Sequence, residues 1–343
     1  MIMRMYLYEF KKILLTPAII GVALLCLVFN IVLVCAHYND TDFRSDSQAV
    51  NIFEDFDASN IAEGFIAKYH VTGSNADNIR EKYAKLQLII DKKAANGDAL
   101  SNYFHEQTYY RHSLLFRTMF LAITTESCLL ALFAALVSVT YENTRNTEHI
   151  VCSSKVGRHI LGSKLSASLT AAVCFTAIIL ALTLGAFFAK FDFSGVWGDN
   201  VSSAFNFATY SYAIPFITWH SFIVAGYLWA VIGALFSLAI CFCLMGYAIG
   251  VLAKNNYGAF IGSILAVALP FIVKPLFSIG SITLSALNLT PTNLWLNSPE
   301  WFTDGNAGIL WANYECIGLS ISFTSLVLVS IAAAKIYRKR ELL

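Results

Sequence analysis

Long apolar runs alternate along this chain with short charged segments. Six of the runs read as membrane spans, at about 16–36, 114–140, 160–189, 219–252, 258–273 and 313–334. A helix needs roughly 20 apolar residues to cross a bilayer. The first run opens with Thr16 as a helix cap and Pro17 at the first helical position, where a missing N–H costs nothing. The fourth is over-long. Ser221 to Ala253 is 33 residues, about 50 Å as one helix against a hydrocarbon core of about 30 Å. It is expected to tilt, project or break, with Gly226, Gly233, Gly246 and Gly250 as weak points. The fifth is short and interrupted by Pro270, Lys274 and Pro275. Residues 275–312 are too short to cross and return, so they are expected as short helices or a re-entrant hairpin covered by protein. The pattern predicts an all-α polytopic membrane protein with six transmembrane helices.

Two segments outside the spans also carry helical patterns. In residues 1–15, Met3, Leu7, Phe10 and Leu14 fall on one stripe while Arg4, Tyr8, Lys11 and Lys12 lie off it. This is an N-terminal amphipathic interfacial helix. Residues 37–113 hold twelve acidic and eight basic residues and form a helical outer domain between the first and second spans. Within it, Asn75 to Ala95 aligns Ile79, Tyr83, Leu86, Ile89 and Ile90, with Arg80, Lys82, Lys85 and Lys92 elsewhere on the wheel. Gly97 ends that helix, and a second helix from about Asp98 is expected to run into the second span.

Charge placement orients the spans. Twelve Lys or Arg fall in residues 1–13, 141–164, 254 and 335–343, while the loops 191–218 and 275–312 hold none. The positive-inside rule then places both termini in the cytoplasm. Composition agrees: the chain is 57% hydrophobic and 13% charged, with a mean hydropathy of +0.62, too apolar for a soluble protein of this length. A net charge of +1 gives no bulk attraction to nucleic acid. The eight cysteines form no CxxC pair and read as packing residues, and the histidines form no HExxH or similar metal spacing. The first apolar run has no small-residue cleavage site after it, so it reads as a span rather than a signal peptide.

Candidate chemistry is sparse. Glu126 in the second span, beside Thr125, is a membrane-embedded carboxylate and so a functional hypothesis by default. It reads as a pathway or cation site, or as a helix–helix hydrogen bond. Asn30 is the polar residue of the first span. Glu315 is expected at the interface, Lys274 at the outer headgroups, and Trp197, Trp219, Trp295, Trp301 and Trp311 in an aromatic belt. No clustered catalytic residues suggest an enzyme.

The segment between the second and third spans is distinctive. Glu142 to Cys152 reads as a short helix, followed by the basic residues Lys155, Arg158 and Lys164 around a turn at Gly157. Here the chain resembles the membrane subunits of ABC-2-type transporters. In that family an acidic residue after the second span opens a coupling helix that leads through a small-residue turn into the third span. Glu142, Glu148, Arg158, Ile160, Leu161 and Lys164 match. The amphipathic start and the basic tail from Ala334 to Leu342 also look like the family's, whereas the outer domain is larger than in its compact members. The resemblance implies the permease half of an ATP-driven exporter in the bacterial cytoplasmic membrane. It implies a second permease, homo- or heteromeric, and a separate ABC ATPase holding ATP and Mg. Residues 141–159 would be the coupling segment, with Glu142, Arg145, Glu148, His149, Arg158 and Lys164 docking the ATPase. This chain itself carries no GxxxxGK[ST] phosphate loop, and no cofactor of its own is expected. The alternative is an ATPase-associated sensor or immunity subunit that binds an extracellular peptide without moving it.

Overall fold

A computed structural model describes residues 2–37, 53–98, 111–147, 150, 151, 157, 160–205, 216–253 and 255–339. Among these, the regular structure is helical, and the extended pairings are two isolated bridges, Asn200 with Ile223 and Thr218 with Thr303. Six helices are long and apolar enough to cross a membrane, as the hydrophobic pattern predicts.

The chain begins with α1 (Ile2–Leu14) and turns at Thr16 into the first span, α2 (Pro17–Ala36). Pro17 takes the first helical position, but Thr16 does not cap α2 with its side chain. Its hydroxyl donates backwards to the Lys12 carbonyl at 2.8 Å, fixing the corner between the two helices. A cap of α3 (Ser59–Tyr69) and α4 (Ser74–Asn96) follows, and Gly97 closes α4 in the left-handed region. The second span, α5 (Arg111–Thr144), opens with a π-helical turn at Leu114–Met119. The third is α6 (Ile160–Lys190), and a short helix α7 (Val201–Phe205) leads to the fourth, α8 (Val224–Leu252). The fifth, α9 (Asn256–Val273), continues as a 3₁₀ turn to Leu276. Two short helices, α10 (Ile282–Leu287) and α11 (Pro291–Leu296), precede the sixth, α12 (Tyr314–Lys339). The bundle therefore has an α1 end and, opposite it, a cap end. The helix expected from Asp98 and most of the segment 145–159 lie outside the described residues.

α5 and α8 form the centre of the bundle; α2 and α9 are peripheral and largely exposed. α8 does not break. Gly246 and Gly250 serve packing instead: a Cβ on Gly246 would sit 2.7 Å from the Leu132 carbonyl oxygen, and one on Gly250 3.3 Å from Val139, whereas Gly233 faces open space. Small residues four apart let α8 lie directly on α5, the usual way that membrane helices gain contact where burial in lipid drives nothing.

Two expectations about α1 and α4 are corrected. In α1, Met3 and Leu7 point outward, while Glu9 and Ile13 are buried against the bundle. The apolar stripe is thus split: Met3 and Leu7 form an outer face suited to lipid, Phe10 and Leu14 pack against the bundle, and the inner face also carries a carboxylate. In α4, Lys82 joins Ile79, Tyr83, Leu86 and Ile90 on the buried side. It gives its ammonium to the Asn306 carbonyl at 3.1 Å. The cap's apolar core is completed by Ile217 and Ala307, which lie outside residues 37–113. α4 thus needs the loops between spans as its cover.

Residues 275–312 hold short helices, one of the two forms expected. Trp301 is fully buried, with its ring N–H donating to the Leu294 carbonyl, and Trp295 donates to the Thr125 hydroxyl at 2.8 Å. These two rings are interior packing rather than members of an interfacial belt. Glu315 is likewise buried in protein rather than exposed at the surface: it lies fully buried in the first turn of α12.

Candidate functional site

At the α1 end, four charged side chains from three helices meet. Glu9 and Lys12 lie one turn apart on α1, Glu142 sits in the last turn of α5, and Lys164 in the first turns of α6. Lys12 donates to Glu9 at 2.6 Å and to Glu142 at 2.8 Å. Lys164 donates to the other oxygen of Glu142 and to the Ser138 carbonyl, and lies 3.9 Å from Glu9. Glu9, Glu142 and Lys164 are all buried. Two carboxylates and two ammonium groups balance, so charges that would be prohibitive alone are compensated. Burial by itself would pull Lys12 down, but hydrogen bonds to Glu142 and Glu9 outweigh it and hold the ammonium above its ordinary value.

The cluster ties three pieces of chain into one body. Glu142 closes α5 and Lys164 opens α6, so they stand on either side of the segment that joins those spans. α1 is pinned to both, and Tyr6 adds a hydrogen bond to Thr170 of α6 at 2.9 Å. Ile150 sits on that joining segment with 70% of its surface exposed, outside any span.

A second polar group lies inside the bundle. The Asn30 amide donates to Glu126 at 2.7 Å and to the Thr183 hydroxyl at 2.9 Å. This joins α2, α5 and α6, with Asn30 and Glu126 buried. Glu126 lies 16 residues before Glu142, about 24 Å along α5. It has no ion-pair partner among the described residues. Thr125 is not part of this group: its hydroxyl binds the Leu121 carbonyl and accepts from Trp295 on the other side of α5.

The structure thus sorts the residues singled out from sequence. Asn30 and Glu126 are brought together, and Thr125 is separated from them. Glu142 and Lys164 were expected as docking contacts on the surface; they are buried within the chain, because α1 returns to supply their counter-charges. Arg145 is exposed, with its guanidinium over the Tyr141 ring. Glu148, His149 and Arg158 lie outside the described residues. Sequence reasoning passed over Glu9, Lys12 and Thr183. A signal for the first two existed: Glu9 shares an i, i+4 stripe with Ile13 and precedes Lys12 by three residues, placing a carboxylate on a face that must be buried. Thr183 carries no such signal among the hydroxyls of α6.

At the cap end, α4 is fastened by polar contacts. Tyr83 donates to Asp304 at 3.2 Å, Lys93 to the Thr218 hydroxyl at 3.2 Å, and Asn78 to the Gly280 carbonyl at 3.0 Å. Burial pushes Asp304 up to about 6, against the pull of Lys82 and Tyr83, and burial draws Lys82 down to about 8, against Asp304 and Glu300. Among the described residues, no three His, Cys, Asp or Glu side chains come together as a metal site. Comparison with known proteins finds no matching family model, no matching curated protein and no matching solved structure.

Proposed function

We propose that this chain is the transmembrane permease subunit of an ATP-driven ABC exporter. It moves an amphipathic substrate, such as a peptide, a lipid-linked molecule or a drug, outward by alternating access. The energy comes from a separate ATPase. In this reading the α1 end faces the bacterial cytoplasm and two permeases work with two ATPases.

The observation that carries the reading is the buried Glu9–Lys12–Glu142–Lys164 cluster. It binds α1 and the facing ends of α5 and α6 into one unit, at the root of the segment that the resemblance identifies as a coupling helix. A force applied to that segment moves two spans and α1 together, which is what rigid-body coupling requires. Exposed Ile150 and Arg145 offer a partner an apolar and a cationic contact there. Glu126, held by Asn30, which also donates to Thr183, is the polar point within the spans that a substrate or a proton would meet. Both states of the bundle must be biased, one by substrate and one by nucleotide, for the two events to couple.

Gentle affinity capture of the tagged chain from its native membrane, read by mass spectrometry, tests this. The expected result is a near-stoichiometric soluble partner with a phosphate loop. Capture of the chain alone, or with an unrelated membrane protein, would overturn it. The cap, fastened over the bundle through buried Lys82 and Lys93, favours one alternative: a sensor subunit that binds a peptide there. ATPase stimulation by a peptide that is not itself moved would select that alternative.

A further inference from the structure

We infer that the corner between α1, α2 and the end of α5 is a binding site for the headgroup of an anionic phospholipid. A cavity of about 510 Å³ opens there, and its lining includes Lys11, Lys12 and Arg145 and no carboxylate. The contrast with the adjoining cavity is informative: that one, of about 520 Å³, lies across Lys12 and contains both Glu9 and Glu142. Lys12 therefore forms a wall with its compensating acids on one side only. Two of its three N–H groups go to those acids, and its ammonium lies 4.8 Å from the centre of the Tyr141 ring, which lines the cationic cavity. Lys11 and Arg145 form no ion pair among the described residues. The charge facing this cavity is positive and is not balanced from within it.

Its level in the membrane selects the ligand. The lining includes Pro17, the first residue of α2, and Thr144, the last of α5. Two spans end there, so the cavity lies at the bilayer interface whichever way the protein is oriented. Leu15, on its rim, is 61% exposed, and Leu7 and Met3 on α1 are exposed as well. A ligand with a phosphate in the cavity would have apolar side chains beside it to accompany acyl chains. A diester phosphate on a diacyl tail matches both parts, since basic pockets at the ends of spans bind such headgroups. The threonine hydroxyls do not compete for it: Thr16, Thr140 and Thr144 donate to backbone carbonyls. Recognition rests on Lys11, Arg145 and the remaining N–H of Lys12. This site does not depend on the transport reading.

The test is native mass spectrometry of the full chain in mild detergent, with phosphatidylglycerol and phosphatidylcholine of matched acyl chains. Phosphatidylglycerol is expected to be retained at least tenfold better than phosphatidylcholine. The Lys11→Gln/Arg145→Gln pair should abolish the preference, and each single variant should weaken it about threefold. Lys335→Gln/Lys339→Gln, which removes two exposed charges from the end of α12, should leave it unchanged. Melting curves verify that each variant is folded, and the single variants serve if the pair is not. Equal retention of the two lipids, or an undiminished preference in folded variants lacking Lys11 or Arg145, would overturn the site. Loss of the preference in the α12 control would reduce it to general surface charge. Displacement of phosphatidylglycerol by glycerol 3-phosphate at equal concentration would assign the cavity to a soluble phosphate instead, and overturn the lipid.

Discussion

Two buried polar groups join the same helices α5 and α6, and they are built on opposite principles. At the α1 end, Glu142 and Lys164 meet Glu9 and Lys12 in a balanced set of full charges. Deeper in the bundle, Glu126 accepts from the neutral amide of Asn30, which also donates to Thr183, and has no ion-pair partner among the described residues. Removing one member of a balanced buried set strands its partner, whereas a carboxylate among neutral donors can be replaced by an amide of the same shape. The first arrangement suits a joint that must not come apart. The second suits a site whose charge can change without unfolding the protein.

The largest effect is expected from Lys164→Met, which leaves Glu142 short of compensation. It should lower unfolding stability by about 3–5 kcal/mol, seen as a fall in melting temperature in detergent. The pair Lys164→Met/Glu142→Leu keeps Glu9 with Lys12 and should recover most of that loss. A single variant that melts within about 1 kcal/mol of the parent would break the comparison. Next is Gly246→Leu, which drives a side chain into the Leu132 backbone and should cost about 1–3 kcal/mol by the same assay.

The cap sharpens the comparison, because it holds a raised carboxyl outside the spans. Asp304 titrates at about 6 in the folded chain against an ordinary 3.8, so the folded state binds its proton more tightly. Its contribution to cap docking is full below about pH 4 and is lost as pH rises through about 6. Amide exchange in α4, corrected for intrinsic rates, should be slower at pH 4.5 than at pH 7 in the parent, and this difference should shrink in Asp304→Asn. The smallest effect on stability is expected for Glu126→Gln, under about 1 kcal/mol, since the amide oxygen still accepts from Asn30. Transport by the reconstituted complex is the readout that this variant should change.

The sequence made the spans legible because each is a long apolar run, and their observed ends fall within a few residues of the expected ones except at the start of α8 and the end of α12. Its periodicity also gave α4 and the turn at Gly97. The inner face of α1 was not legible. Burial of Glu9 depends on Glu142 and Lys164, more than 130 residues away, which no local pattern encodes. The same reason hid the burial of Lys82, whose partner is the Asn306 carbonyl. The glycines of α8 were visible, but whether they mark a weak point or a packing face depends on α5 lying against them. At the candidate site, Asn30 and Glu126 could be read as the rare polar groups in their spans. That they touch, and that Thr125 turns away, follows from helix rotation set by tertiary packing.

In the proposed complex an ATPase docks on the segment leaving Glu142. A photo-crosslinking residue placed at Ile150, in the chain expressed in its native cell, tests it most directly. One dominant adduct with a soluble phosphate-loop ATPase is expected, formed in the parent and preserved in Glu126→Gln. Adducts with lipid or with other membrane proteins alone, from a folded and inserted chain, would contradict it.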